Sequence, residues 1–351
     1  MDAQITQVGT GPDGEAIEEV TLHGPDGTRA RVLSWGATLR DLEIPLIDGR
    51  LRRVVLGFED AASYIANPPY LGATCGRVAN RIRDGRFTLD GTTYDVGRNE
   101  AGRTHLHGGA RGFSHRNWRI ETASIDAVTL MRRSPDGEEG YPGTLDVRCT
   151  YRLEALATLA ITMTATTDAP TPVNLAHHSY FTLDPAGSVR ELEVEIAARH
   201  YTPVDADLIP TGDIAPVAGT PFDFTTPQRL DARGTCYDIN YALDGTPNGP
   251  PRFAARAASA RSGLQLDVFT DAPGLQLYDG FHLKPTRHGL GGHRHGPHAG
   301  LCFEAQTFPD AVNQPGFPSP WLKPGETYSQ ATQYRFGGRN LRWSNGAEVN
   351  K

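Results

Sequence analysis

Residues 145–153 read Leu-Asp-Val-Arg-Cys-Thr-Tyr-Arg-Leu. In extended backbone successive side chains point to opposite faces. Leu145, Val147, Cys149, Tyr151 and Leu153 therefore share one apolar face, and Asp146, Arg148, Thr150 and Arg152 share a polar one. Strict period-two alternation predicts a strand with one face buried. The same rule holds for Leu159, Ile161, Met163 and Ala165, for Leu192, Val194 and Ile196, and for Leu264, Leu266 and Val268. Turn signals separate such runs: Gly24-Pro25-Asp26-Gly27, Asp90-Gly91, Pro135-Asp136-Gly137, Asp244-Gly245 and Asn248-Gly249-Pro250-Pro251. One short helix is expected near Phe58 to Ile65. No βα alternation recurs, which argues against a doubly wound parallel sheet. The expected fold is all-β, an antiparallel sandwich or barrel. No linker divides the chain, so residues 1–351 are read as a single domain with a polar, peripheral tail after about 337. Residues 286–298 are Gly/His-rich and read as a surface loop.

The chain has 351 residues, with 39 Gly and 26 Pro, which suits many turns and short strands. Its formal net charge of -7 argues against nucleic acid and against an anionic membrane as partner. Met1 to Glu19 is polar and acidic, without the pattern of a signal peptide. No apolar run reaches membrane-spanning length. Cys75, Cys149, Cys236 and Cys302 stand singly and read as free thiols in a reducing compartment. A soluble, cytoplasmic protein is expected.

Chemistry concentrates where the strand pattern carries clustered polar residues. Asn174 to Leu183 reads N-L-A-H-H-S-Y-F-T-L. If extended, His178 shares a face with Asn174, Ala176 and Tyr180, and His177 one with Leu175 and Phe181. That favours His178 as the working residue and His177 as a packed one. Gly76 to Arg81 offers two arginines and an asparagine as donors for ligand oxygens. His105-Leu106-His107 places two histidines on one face, before glycines that let a ligand approach the backbone. An H-x-H pair is either a metal chelate or a hydrogen-bonding histidine beside a supporting one. In Leu301 to Gln306 the apolar side chains face the core, and Cys302, Glu304 and Gln306 face away. Tyr180, Phe113 and Trp118 are either sugar-stacking or core, with Trp118 read as core.

Six segments occur in order: G-R-V-A-N-R-I (76–82), H-L-H-G-G-A-R-G-F (105–113), H-H-S-Y-F (177–181), G-T-P-F-D-F (219–224), P-G-L-Q-L-Y (273–278) and F-E-A-Q-T-F-P-D-A-V-N (303–313). Together they resemble the aldose 1-epimerase (galactose mutarotase) family, from about Leu33 to Phe336. The resemblance implies a large antiparallel β-sandwich (the galactose mutarotase-like supersandwich) that interconverts the α and β anomers of a monosaccharide. It implies His178 as catalytic acid, Glu304 as catalytic base and His107 as a second active-site histidine. Asn80, Arg81, Asp238 and Gln276 become sugar contacts. No cofactor and no metal are implied, and a monomer or homodimer is expected. A free histidine titrates near pH ~6.5, so the acid is expected to be kept charged by nearby carboxylates. His105, Thr182-Leu183 and Asp279-Gly280-Phe281 depart from the family pattern near the expected cleft, leaving the preferred aldose open. Three alternatives stand. One is a hexose-6-phosphate 1-epimerase using Arg77, Arg81 and Arg83. Another is a metal-dependent cupin-like enzyme using His105, His107, one of the paired histidines and Glu304. The last is a non-catalytic sugar-binding module.

Overall fold

In the computed structural model, which describes residues 3–66, 69–184, 187–284 and 287–341, the strand Leu145–Glu154 is paired on both sides. It runs antiparallel to Thr158–Thr167 from Leu145↔Thr167 to Glu154↔Thr158, and antiparallel to Ala127–Ser134 on its other edge. Leu145, Val147, Cys149, Tyr151 and Leu153 are all buried, and the alternate residues are not. Each large apolar side chain removed from water this way contributes roughly 1.5–3 kcal/mol.

These strands sit in a nine-stranded sheet. Its spatial order is Arg119–Ala123, Ala127–Ser134, Leu145–Glu154, Thr158–Thr167, Tyr328–Gly338, Leu264–Thr270, Arg252–Ala258, Glu193–Ile196 and Gln228–Arg229. A five-stranded meander of Gln4–Thr10, Ala16–His23, Arg29–Leu33, Thr38–Pro45 and Leu51–Arg53 precedes it in the chain. A second five-stranded sheet orders Ala215–Pro216, His200–Thr202, Asp238–Ala242, Gly274–Tyr278 and Cys302–Gln306. All pairings in the three are antiparallel. One core draws on every one of them, with Val32 and Leu42 from the meander, Val147 and Tyr334 from the large sheet, and Leu275 and Phe303 from the second small sheet. The expected antiparallel sandwich is what forms.

Local signals were read correctly at several points. Asp90-Gly91 joins Arg86–Leu89 to Thr92–Asp95 with φ of 49° and 79°, the left-handed pair that a two-residue hairpin needs. The short helix is Ala61–Ile65, capped where Asp60 accepts from the Ser63 amide at 2.7 Å. All four cysteines are free. No helix among the described residues is long and apolar enough to cross a membrane.

One expectation needs correction, and the Gly/His-rich surface loop, mostly exposed or half-buried as expected, gains detail. The strand Tyr328–Gly338 keeps pairing as far as Gly338↔Leu264, and Leu341 is buried and bridged to Leu46, so the chain is still part of the fold where a peripheral tail was read. Residues 342–351 of that tail lie outside the described residues. The Gly/His-rich loop, of which Thr286 is likewise not described, is docked onto the body. Gly289 bridges Phe58, Leu290 is buried and donates to the Gly57 carbonyl, and Glu59 accepts from the amides of Gly291 and Gly292.

The buried Tyr151 hydroxyl ties the large sheet to the turn before Thr38–Pro45 by donating to the Ala37 carbonyl at 2.6 Å. Tyr151→Phe should lower unfolding stability by about 1–3 kcal/mol in a urea titration while leaving the β-sheet circular dichroism unchanged. An unaltered midpoint would remove this tie from the account.

Candidate active site

Glu304 lies on Cys302–Gln306, the edge strand of the second five-stranded sheet. Residues directly opposite across antiparallel strands present side chains to the same face. Glu304 is opposite Gln276, and Gln276 is opposite Asn240, two residues from Asp238. Register therefore brings Asp238, Gln276 and Glu304, far apart in sequence, onto one face. Every residue of Cys302–Gln306 is buried, not only the core-facing ones, because the polar face is roofed by the rest of the site.

His178 enters from across the cavity. The strand pattern read over Asn174 to Leu183 is realised as pairing only at Ala176–His177, against Thr74–Cys75. The chain is then pinned by the His178 amide on the Ala73 carbonyl and the Gly72 amide on the His178 carbonyl, both at 2.9 Å. His177 turns inward to Tyr151 and Tyr334, as expected of the packed member of the pair. Asn80 and His107 sit at the ends of the short Arg81–Ile82 and His105–Leu106 ladder, with φ of 60° and 51°. They exchange two contacts: His107 N–H to the Asn80 carbonyl at 3.0 Å, and Asn80 N–H to His107 Nδ1 at 3.2 Å. Asn80, Arg81, His107, His178, Asp238 and Glu304 thus meet in one cavity of about 400 Å³, with Tyr70, Tyr180 and Tyr278 as apolar walls.

At its floor, His178 Nε2 lies 3.7 Å from Glu304 Oε2, and that oxygen is buried without a hydrogen-bond partner. Burial pushes the Glu304 carboxyl well above the ordinary range, Asp238 adds to this, and Arg81 opposes it. Burial also holds His178 down at about 4. The expectation of an imidazolium kept charged by nearby carboxylates runs against the direction of this shift, because burial disfavours the charged ring. The Cys302 thiol, kept protonated by burial, touches His178 Nδ1 at 3.6 Å and leaves Nε2 toward the cavity. His107 is driven well below its usual range by burial, then by His178 and Arg81. Since its Nδ1 accepts an amide, its proton is on Nε2.

Other expected residues fall elsewhere. Gln276 is not in the cavity wall; it stands behind it, donating to Asp238 Oδ1 at 2.6 Å. Arg77 is buried away from the site, donating to the carbonyls of Pro142 and Gly143 and to Ser134 Oγ. Arg83 pairs with Asp205. The three arginines therefore do not assemble into a phosphate cluster. His105 points away to Tyr141 Oη at 2.7 Å, because the left-handed His107 breaks the extended geometry that would align them. The donor atoms of His107, His178 and Glu304 do lie within 4.8 Å of one another. A metal-bound histidine normally donates its other N–H to an acceptor. His107 has Nδ1 occupied as an acceptor and a proton on Nε2, so the trio is poorly made for a metal. Gly108, at φ 86°, is required by backbone packing, since a Cβ there would sit 1.7 Å from the Gly76 carbonyl oxygen. Phe113 and Trp118 are core, and Tyr180 lines the cavity. His105, Thr182, Asp279 and Phe281, the departures placed near the cleft, are absent from its wall. Sequence reading missed Tyr70 and the wall formed by His282, Leu283, Lys284, Arg287 and His295. Of that wall, Arg287 and His295 belong to the Gly/His-rich segment, whose unusual composition was its only signal.

An antiparallel sandwich with a buried imidazole and carboxyl facing each other in a hydrogen-bonding cavity defines an acid–base enzyme for a small polyhydroxylated ligand. Residues 18–335 match the family described as aldose 1-epimerase. The chain is 43% identical to the galactose mutarotase of Rattus norvegicus over 330 residues, covering 92% of this chain and 95% of that one. It is 38% identical to the aldose 1-epimerase of Escherichia coli (strain K12) over 339 residues, covering 93% and 96%. Among solved structures, an aldose epimerase homologue from C. elegans superimposes with a TM-score of 0.87 at 30% identity, covering 93% of this chain and 100% of that one. The galactose 1-epimerase of Lactobacillus acidophilus NCFM gives 0.81 at 28% identity, covering 96% and 98%. The chain belongs to the aldose 1-epimerase family.

Burial keeps four histidines neutral: His105 at about 4, His177 at about 3, His178 at about 4, and His107 well below its usual range. Unfolding frees each to bind a proton near pH ~6.5, so between there and the folded values the unfolded chain holds more protons. The histidine contribution to stability should be full above pH ~6.5 and fall as pH drops, by up to about 1.4 kcal/mol per pH unit for each histidine, and the raised Glu304 carboxyl, which slopes the other way, offsets part of it. Urea midpoints at pH ~7.5 and ~5.5 check this; equal midpoints would contradict it.

Proposed function

We propose that this cavity interconverts the α and β anomers of a monosaccharide, with Glu304 as base and His178 as acid across the C1–O5 bond. The observation that carries the reading is the unpaired Glu304 Oε2, buried 3.7 Å from His178 Nε2 at the cavity floor. Membership of the family supplies the reaction, and the site supplies a way to run it.

Ring opening needs the carboxylate and the imidazolium. Glu304 takes the proton of the C1 hydroxyl, the C1 carbonyl forms, the C1–O5 bond breaks, and O5 takes the proton of His178. The pair is now uncharged, which is the state that burial favours. The aldehyde turns about C1–C2, the O5 hydroxyl returns its proton to His178 as it adds to the other face of C1, and Glu304 gives its proton to the C1 oxygen. Each charge state thus serves one direction of the cycle. Hydroxyls of the bound sugar and the Arg81 cation favour the ion pair, and loss of hydration favours the neutral one. The His107 Nε2–H is placed to donate to developing charge on oxygen. Asn80, Arg81 and Asp238 bind ring hydroxyls, and Gln276 acts on them through Asp238. The relatives named galactose mutarotase make galactose the first sugar to test. The free thiols support a reducing, cytoplasmic compartment, and a monomer suffices, since all these residues come from one chain.

Glu304→Gln and His178→Gln should each lower kcat by about 10²–10⁴-fold in polarimetry with fresh α-D-galactose or α-D-glucose. Near-normal rates in either would overturn the assignment. With His178 held down at about 4 by burial, the rate profile should show no transition at pH ~6.5, the value of a free histidine, and a clear inflection there would contradict the reading.

A further inference from the structure

Arg81 is held from outside the cavity. Glu100 lies in the turn closed by the Glu100↔Thr104 bridge, ahead of the His105–Leu106 strand. It is not part of the cavity wall. Its two oxygens accept from Arg81 Nε and Nη2, each at 2.8 Å, a bidentate fork. Thr104 Oγ1 donates to Glu100 Oε2 at 2.7 Å and fixes the carboxylate in turn. This leaves Arg81 Nη1 toward the pocket, 3.6 Å from Asp238 Oδ2. Burial pushes the Glu100 carboxyl up, but the Arg81 hydrogen bonds outweigh it and hold the group below the usual carboxylate range. The preceding residue works in the same turn: Asn99 donates to the Leu106 carbonyl at 2.9 Å and accepts from its amide at 2.8 Å. Leu106 immediately precedes His107. One short turn therefore secures two cavity residues by side chains that never enter the cavity.

We propose that Glu100 is a positioning residue for sugar binding. It takes up two of the three Arg81 nitrogens, so that one donor is presented to the ligand and to Asp238. Without that anchor the guanidinium is free to close on Asp238 and Glu304, the carboxylates of the cavity itself, where it competes with the sugar. The proposal rests on the cavity being the sugar site, but not on which groups move protons.

The test is Glu100→Gln, which keeps the shape and removes the charge, followed by steady-state polarimetry and by calorimetric titration with galactose. KM and the sugar Kd should rise about tenfold or more, with kcat within about threefold of wild type. In an Arg81→Ala background the same substitution should change Kd by less than about twofold, because its effect passes through the missing guanidinium. Glu100→Asp should recover part of the affinity. A Glu100→Gln Kd within about twofold of wild type, or a full effect persisting without Arg81, would overturn the proposal. Should Glu100→Gln fail to fold, Thr104→Val decides: it loosens the carboxylate without removing it and must weaken sugar binding, and an unchanged Kd would overturn the proposal equally. The titration reads binding alone, so failure of the Glu304 and His178 assignment would appear separately, as wild-type-like turnover in their variants.

Discussion

Two ionisable groups buried face to face, Glu304 and His178, impose the central constraint on this molecule. A carboxyl and an imidazole taken out of water each resist charge, and side by side they resist it together. The cheapest arrangement leaves both neutral, whereas the ring opening proposed for this cavity needs both charged. Arg81 lines the same cavity, and its charge opposes the upward shift of Glu304.

Sheet register is how the fold meets that constraint. Asp238, Gln276 and Glu304 come from three strands, and their common face follows from direct pairing, not from any loop. His178 is set by backbone hydrogen bonds to the 72–73 turn, and His107 by its exchange with Asn80. A floor built this way tolerates little sliding, since a one-residue slip would turn Glu304 into the core. The extensive core beneath the sheets is what prevents the slip.

Much of the fold was legible because most strands are buried on one face only. Leu145–Glu154 and Leu264–Thr270 announce themselves by alternation, and Asp90-Gly91 by the backbone angles it allows. Where a strand is buried on both faces the signal fades: alternation set Glu304 only on the face away from the core, and it was the family resemblance that singled it out. The same resemblance identified His178, His107, Asn80, Arg81 and Asp238, which the structure brings together, and Gln276, which it sets one layer back. What pattern cannot convey is direction after a left-handed residue. His105 and His107 look like a chelating pair, but the φ of His107 sends them apart. Nor does composition reveal that Arg77 serves carbonyls in the interior, that Gly108 accommodates another stretch of backbone, or that Glu100 reaches Arg81.

The docked segment around Gly289 to His295 has a different standing from the rest of the cavity. It is fastened by a few backbone contacts to residues 57–59, and it belongs to none of the large ladders. The part of the cavity rim that this segment supplies and the floor that holds Glu304 and His178 are consequently built on separate stretches of chain, so a change in the first need not move the second.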